Sequence, residues 1–210
     1  MSARESKAVR REQIISAIAK IVATRGLSRL TTAALAREVG LTEGALFKHF
    51  ATKEDMLKEA IREAGYGMVD KVAQIATGTL SPEEKIKCLL DFHVGLWEAN
   101  PEVCRFVLRT VFSGEVYSSY PRLKGLIKDI MSKYVGHVEA VFREGEKRGS
   151  FHLNYFSAEK LSYLWVALLQ GTFVRWHLQE RKPSLKEEAG QIFQAIMLLA
   201  GKKNLLVPEA

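Results

Sequence analysis

The spacing of apolar residues most constrains what this chain can fold into, because nearly every segment repeats with the 3.6-residue period of an α-helix. Ile14, Ile18 and Ile21 form one such stripe early in the chain. Further along, 81–84 reads Ser-Pro-Glu-Glu, a strong helix start with a capping Ser, Pro at N1 and Glu at N3. The sequence has neither strand-like alternation nor an internal repeat. It therefore predicts an all-α protein of about nine helices.

The positive charge is concentrated at one end of the chain. The 210 residues carry a formal net charge of +7, and residues 1–53 hold ten Lys/Arg against four Asp/Glu. Such asymmetry is typical of a surface that binds nucleic acid or an anionic membrane. A solvated basic face would give the same count, so charge alone does not decide between these readings.

Several classes of protein and site lack support in the sequence. The basic N-terminal stretch has no apolar core of a signal peptide, and the longest uncharged stretch near the other end, 161–174, is too short to span a bilayer. Cys88 and Cys104 do not make a disulfide framework, although they would allow a redox switch. Phosphate-loop, nucleophile and metal-ligand motifs are missing. We expect a cytoplasmic non-enzyme without catalytic residues, cofactor, metal site or membrane partner.

Two short helices with a tight break between them are predicted over about residues 31–50. Thr31 or Thr32 caps the first helix, and Gly40 ends it. Thr42 caps the second helix, which is predicted to run to roughly His49. This is the helix-turn-helix arrangement, which places its second helix in the major groove of DNA.

The helix-turn-helix region resembles the TetR family of bacterial transcriptional regulators. Residues 40–57 read GLTEGALFKHFATKEDML, against the family pattern G-[LV]-[ST]-x-G-x-[LI]-Y-x-H-F-x-x-K-x-x-L, and the resemblance covers about residues 8–68. It implies a three-helix DNA-binding domain at 8–68. It also implies a larger helical ligand-binding and dimerisation domain at 78–205.

The resemblance implies DNA contacts residue by residue. Helix-capping threonines and their free amides would bind phosphate, the start of the second helix would lie nearest the bases, and the basic residues after it would contact phosphate or the groove edge. The DNA-binding candidates are Thr31, Thr32, Thr42, Glu43, Gly44, Ala45, Phe47, Lys48, His49 and Lys53.

Two of these candidates depart from the family, and some have a purely structural alternative. Phe47 replaces the usual Tyr and lacks its hydroxyl, and its ring could belong to the core. Glu43 could accept from a cytosine amino group or could simply lower non-specific affinity. His49 could be a packed structural residue. Thr31 and Thr42 are favourable caps with or without DNA.

The second half of the chain suggests a dimer and a ligand. The segment 157–181 is apolar almost all round and must be buried in a core or against a second subunit. By resemblance, we expect a homodimer through the last two helices that binds an inverted repeat in double-stranded operator DNA. Candidate contacts of a small, largely apolar or aromatic effector, each of which could instead be a core or interface residue, are Phe92, His93, Trp97, Phe106, Tyr134, His137, Trp165 and Gln170.

Three functions remain open from the sequence. The leading hypothesis is a repressor that a ligand releases from DNA. An alternative is a DNA-binding architectural or cell-division factor of the same fold, controlled by a protein partner and without a ligand pocket. A third is a helical enzyme or lipid carrier whose basic end meets a membrane.

Overall fold

The computed structural model describes residues 3–180 and 184–202. Within these ranges it contains ten α-helices and no strand, so the all-α prediction is confirmed. In chain order they are α1 (Ala3–Arg25), α2 (Thr32–Val39), α3 (Glu43–Leu46), α4 (Lys53–Ala76), α5 (Pro82–Ala99), α6 (Pro101–Val107), α7 (Glu115–Ser119), α8 (Lys124–Lys147), α9 (Ala158–Leu178) and α10 (Leu185–Leu199).

The start and end of α2 and the start of α3 lie where local chemistry predicts them. Gly40 adopts a left-handed φ of 66° directly after α2, a conformation that costs glycine little. The Thr31 side chain accepts the Ala34 amide at the start of α2, and the Thr42 side chain accepts the Ala45 amide at the start of α3. The predicted caps of these two helices are therefore confirmed.

The helix predicted to run from Thr42 to His49 is shorter in the structure. Helix α3 ends at Leu46, and the chain continues in tighter turns. The Lys48 amide donates to the Ala45 carbonyl at 3.3 Å and the His49 amide to the Leu46 carbonyl at 2.9 Å, both three residues back. The residues after α3 therefore follow a 3₁₀-like path.

The short helix α7 brings the number of α-helices in the described ranges above the nine or so that the sequence predicts. Val116 is fully buried, and the Tyr117 hydroxyl donates to the Val111 carbonyl at 2.9 Å. A single buried apolar residue in so short a segment gives no 3.6-residue repeat from which a helix could be predicted. Just before it, α6 continues as one turn of π-helix, Leu108–Phe112.

The chain forms two compact units that differ from the predicted domain boundaries. The first comprises the residues up to Gly67 together with Asn100–Ile130, and the second comprises Met68–Ala99 with the described residues from Met131 onward. Within the first unit, α6 packs along α1. The segment Asn100–Ile130, which we expected in the C-terminal domain, is thus in the same unit as the DNA-binding helices.

The second unit has an aromatic core. Phe142 and Phe151 pack with ring centroids 5.9 Å apart, and Trp165 and Phe173 are also almost fully buried. Helix α10 packs against both α5 and α9. No helix in the described ranges is both long and apolar enough to cross a membrane.

Candidate nucleic-acid interface

The helix-turn-helix pair is anchored by leucines that have no exposed surface. Leu35 of α2 and Leu46 of α3 are completely buried, and the Leu41 amide donates to the Ala36 carbonyl at 2.9 Å in the turn between the two helices. Burial of two leucine side chains stabilises this small core by several kcal/mol, at roughly 1.5–3 kcal/mol each. The remaining side of α3 is therefore held in a defined orientation.

Most of the predicted DNA-reading residues lie on the exposed side of α3 and the turn after it. Thr42, Glu43, Gly44 and Lys48 are exposed, and Ala45 is half-buried. A Cβ added to Gly44 would meet no atom within 4 Å, so a partner can approach the backbone closely here. The structure brings these residues together on one face.

Phe47 lies on this face and not in the core. About half of its side chain is exposed to solvent, at 47%. The next aromatic residue, Phe50, is buried. The core alternative for Phe47 is thus wrong in the free protein.

Glu43 is joined to α2 by a hydrogen bond from Thr32. The Thr32 hydroxyl donates to the Oε2 atom of Glu43. This bond links the first residue of α2 with the first residue of α3. Thr31, in contrast, caps α2. The two neighbouring threonines were both predicted to bind phosphate, and they have different partners in the free protein.

Arg11 of α1 supports the end of the reading face. Its Nη1 atom donates to the His49 carbonyl at 2.7 Å, and its guanidinium carbon lies 4.2 Å from the centroid of the Phe50 ring. Sequence reasoning missed this residue, because nothing in the spacing pairs positions 38 residues apart. A cation–π contact and a charged hydrogen bond together fix this turn against α1.

His49 is half-buried in a strongly basic environment. Its Nδ1 atom is buried and has no hydrogen-bond partner in the described part of the chain. Partial burial lowers the pKa of His49, and the charges of Lys7, Arg11 and Arg10 lower it further. An anion brought close to this ring would act in the opposite direction and raise the pKa of His49.

Not every basic residue of the first unit is available to a partner. Lys20 pairs with Glu38 at 2.6 Å, which lowers the pKa of the Glu38 carboxyl, and Arg25 reaches the same carboxylate at 3.5 Å. Lys53, predicted to bind phosphate, is half-buried at the start of α4, with its Nζ atom 5.7 Å from the centroid of the Tyr120 ring. Lys48 is more exposed than Lys53.

Three of the candidate effector contacts form a buried hydrogen-bonded chain. The Trp165 Nε1 atom donates to the Tyr134 hydroxyl at 2.9 Å, and that hydroxyl donates to His93 Nε2 at 3.0 Å. His93 Nδ1 then donates to the Leu89 carbonyl at 2.6 Å. This direction of donors requires a neutral imidazole with its proton on Nδ1.

Burial stabilises the neutral state of this chain. It lowers the pKa of His93 to about 4 and raises the pKa of Tyr134 well above its ordinary value. His93 and Trp165 use their ring nitrogens within the chain, and the Tyr134 hydroxyl both accepts and donates there. In the free protein these groups therefore act as core polar residues that satisfy one another.

The other effector candidates are placed differently. Trp97 is buried with its ring 5.4 Å from that of Phe173, while Phe92, His137 and Gln170 are half-buried. Phe106 is fully buried and belongs to the first unit, whereas the other seven candidates belong to the second.

Helix α9 has a buried and an exposed apolar side. Leu161 and Trp165 are completely buried. The exposed side carries a continuous stripe at spacings of three or four residues, formed by Tyr163, Ala167, Gly171, Val174 and Leu178. Leu178 is 78% exposed, and Leu198 of α10 is also exposed. An ion pair between Arg175 and Glu188 joins the two helices.

Comparison with known proteins gives consistent matches over most of the chain. The family model of bacterial regulatory proteins of the tetR family matches residues 14–60, and the model of the YsiA-like protein C-terminal region matches residues 62–200. The nucleoid occlusion factor SlmA of Shewanella pealeana is 30% identical over 82% of this chain and 85% of its own length.

Solved structures share the fold at low identity. The fatty acid degradation regulator FadR of Bacillus halodurans superposes with a TM-score of 0.73 at 21% identity, covering 89% of this chain and 94% of that one. FadR of Bacillus subtilis in complex with stearoyl-CoA gives 0.75 at 17% identity, covering 90% and 98%.

Proposed function

The chain belongs to the TetR family of bacterial regulatory proteins, and on that premise we propose that it represses transcription. It is a DNA-binding regulator and not an enzyme. In this proposal a homodimer in the cytoplasm binds an inverted-repeat operator, and a ligand with a long apolar chain releases it. The observation that carries the proposal is the exposed face formed by α3 and the turn after it, where Phe47 and Lys48 are exposed while Leu46, the last residue of α3, is completely buried.

The physical case for DNA begins with the chemistry of this face. Lys48 supplies a mobile positive charge for phosphate, and the start of α2 offers backbone amides to a second phosphate. Gly44 and Ala45 let the start of α3 approach the base edges closely. Phe47 supplies an apolar surface that suits a thymine methyl group or a sugar.

Removal of single lysines tests this placement. Lys48→Ala and Lys53→Ala should each weaken operator binding and reduce the slope of log affinity against log salt by about one. The exposed Lys160 of the second unit provides a matched control, since Lys160→Ala removes the same charge far along the chain. The placement is wrong if all three variants bind with the affinity and salt slope of the wild type.

The exposed stripe of α9 supports a dimer through α9 and α10. Val174 and Leu178 are large apolar side chains in contact with solvent, and the small Gly171, three residues before Val174, allows a second helix to approach. Exposed apolar patches of this kind mark interaction surfaces. Two-fold symmetry would also give two copies of α3 for two half-sites.

For the effector we propose a long-chain acyl thioester of coenzyme A. The interior of the second unit is aromatic. Its buried polar groups His93, Tyr134 and Trp165 are already hydrogen-bonded. A ligand bound there would therefore contact mainly apolar side chains. The stearoyl-CoA bound by a structural neighbour supports this class. Phe92, His137 and Gln170, which are half-buried, are the contacts we propose from the predicted set.

Release from DNA tests the effector class. Stearoyl-CoA should release the protein from its operator and raise its Tm, whereas coenzyme A alone should do neither. Phe92→Ala should lose the response and still bind the operator, and Tyr155→Ala, at a highly exposed site, should keep both. If stearoyl-CoA neither releases DNA nor appears bound in native mass spectra, the acyl thioester is the wrong class.

A second candidate function is nucleoid occlusion, because curated relatives at about 30% identity are named as nucleoid occlusion factors. In that case a protein partner would replace the small ligand, as in the architectural alternative from the sequence. Overproduction of the chain would then filament its host cells while DNA binding is intact. A repressor would change transcript levels near its operator and leave division unaffected.

A further inference from the structure

Glu43 is the one acidic side chain in the segment 42–49, which forms the proposed reading face. A carboxylate there is repelled by DNA phosphates, so it weakens non-specific binding. A specific contact is needed to offset this repulsion. The inference that follows rests on the DNA-binding function above and concerns what this carboxylate contacts.

The hydrogen bond from Thr32 determines how the carboxylate is presented. The Thr32 hydroxyl occupies Oε2 of Glu43, and Oε1 has no hydrogen-bond partner among the residues that the structure describes. An unrestrained surface glutamate samples several rotamers, and a bond to another helix removes much of that freedom before DNA arrives. One oriented acceptor is thus left at the start of α3.

The backbone beside Glu43 permits close approach to a groove. Gly44 has no side chain, and the space where a Cβ would lie is open. Glu43 is the first residue of α3, at the end of a recognition helix that lies nearest the bases in helix-turn-helix complexes. Its carboxylate is therefore within reach of base edges if α3 enters the major groove.

We propose that Glu43 recognises a cytosine in each half-site, with its Oε1 atom accepting from the N4 amino group, and that Thr32 positions the carboxylate. Guanine presents only acceptors in the major groove, and thymine presents an acceptor and a methyl group. Adenine has an amino donor, but its neighbouring N7 acceptor repels a carboxylate. Cytosine alone offers a donor without an adjacent acceptor on the same base.

The test is the base preference of the full-length protein, measured by selection from a random duplex library. The wild type should enrich cytosine at one position in each half-site, with a discrimination of about 5- to 150-fold over other bases. Glu43→Gln should shift that position towards adenine, because an amide both donates and accepts. Its overall affinity for unrelated duplex should rise, because a negative charge is lost.

Thr32 variants separate positioning from folding. Thr32→Val removes the hydroxyl and should reduce cytosine discrimination several-fold, whereas Thr32→Ser should restore it. Both variants should keep the wild-type Tm, because the hydrogen bond that Thr32→Val removes is made to the exposed side chain of Glu43. A loss of affinity in Thr32→Val that is equal for all four bases would overturn the positioning role.

Failure of this inference is distinct from failure of the proposed function. If the wild type enriches no sequence at all, DNA reading by this face is wrong. If it enriches an inverted repeat and Glu43→Gln keeps the same preference at every position, only the assignment of cytosine to Glu43 is overturned.

Discussion

The Arg109 side chain donates a hydrogen bond of 3.0 Å from Nη1 to the carbonyl oxygen of Val22. Arg109 lies in the π-helical turn after α6, and Val22 lies in the last turns of α1, 87 positions away. The same carbonyl accepts the Gly26 amide at 3.1 Å. This relationship ties the segment Asn100–Ile130 to the first helix of the DNA-binding region within one unit.

Replacement of Arg109 should loosen that connection. Arg109→Met keeps the aliphatic stem and removes the donor, and we expect a loss of about 1–2 kcal/mol in the free energy of unfolding. The loss is moderate because the Val22 carbonyl still accepts the hydrogen bond from the Gly26 amide. Urea unfolding measures it, with the exposed Arg122→Met as the control. Equal stability of the two variants would mean that the Arg109 bond contributes nothing in solution.

Phe47 should matter for DNA and not for folding. Because its ring is about half exposed, Phe47→Ala should leave the Tm within about 2 °C of the wild type. Operator affinity should fall roughly tenfold, the loss of one good apolar base or sugar contact.

The conservative variant at this position tests the missing hydroxyl. Phe47→Tyr restores the group that the family pattern carries and should tighten binding by about fivefold through one phosphate hydrogen bond. Fluorescence anisotropy with a labelled operator measures both variants. A large drop in Tm for Phe47→Ala would instead place the ring in the folding core.

The buried chain from Trp165 to His93 predicts a pH dependence of stability. Burial lowers the pKa of His93 to about 4, so the folded protein keeps the ring neutral while the unfolded chain takes up a proton below its ordinary value of 6.5. The unfolded state then binds more protons, and stability is lost as the pH falls from 6.5 towards 4.

Urea unfolding at two pH values measures this effect. Between pH 7.5 and pH 5, His93 should account for a loss of about 2 kcal/mol. His93→Gln should be less stable at pH 7.5 and should show a smaller drop on acidification. His152→Gln, at an exposed histidine of the same unit, is the control for loss of a ring. An identical drop in His93→Gln and wild type would contradict a neutral, buried His93.

Charges placed on the exposed stripe of α9 should disrupt the dimer. The double variant Val174→Glu and Leu178→Glu puts two carboxylates where we propose that a second copy packs, and burial of unpaired charge is costly. Light scattering should give a monomer mass for this variant and a dimer mass for the wild type. Tyr155→Glu, which changes another exposed aromatic residue, should remain dimeric. A dimer mass for the double variant would place the interface elsewhere.

The sequence predicted those features that depend on neighbours along the chain. Gly40 and Thr42 act as a helix end and a helix cap through bonds to residues a few positions away, and both were assigned correctly. The exposed residues of α3 are among those that the family resemblance placed against DNA. Phe47 was ambiguous, because a lone aromatic residue suits either a core or an interface.

Features that depend on packing between distant segments could not be predicted. Arg11 reaches His49 only because α1 and the turn after α3 are folded together. His93, Tyr134 and Trp165 looked like separate ligand contacts in the sequence, and their mutual hydrogen bonds require three packed helices. The inclusion of Asn100–Ile130 in the first unit likewise reflects tertiary contacts.

The central claim is that this chain reads duplex DNA as a dimer through the exposed side of α3. The most direct measurement is selection of bound sequences from a random duplex library, followed by native mass spectrometry of the complex with the selected duplex. The account predicts an inverted repeat, two chains on one duplex, and weaker retention of Lys48→Ala than of the wild type at moderate salt. Enrichment of no sequence, with equal retention of wild type and Lys48→Ala on any duplex, would contradict it.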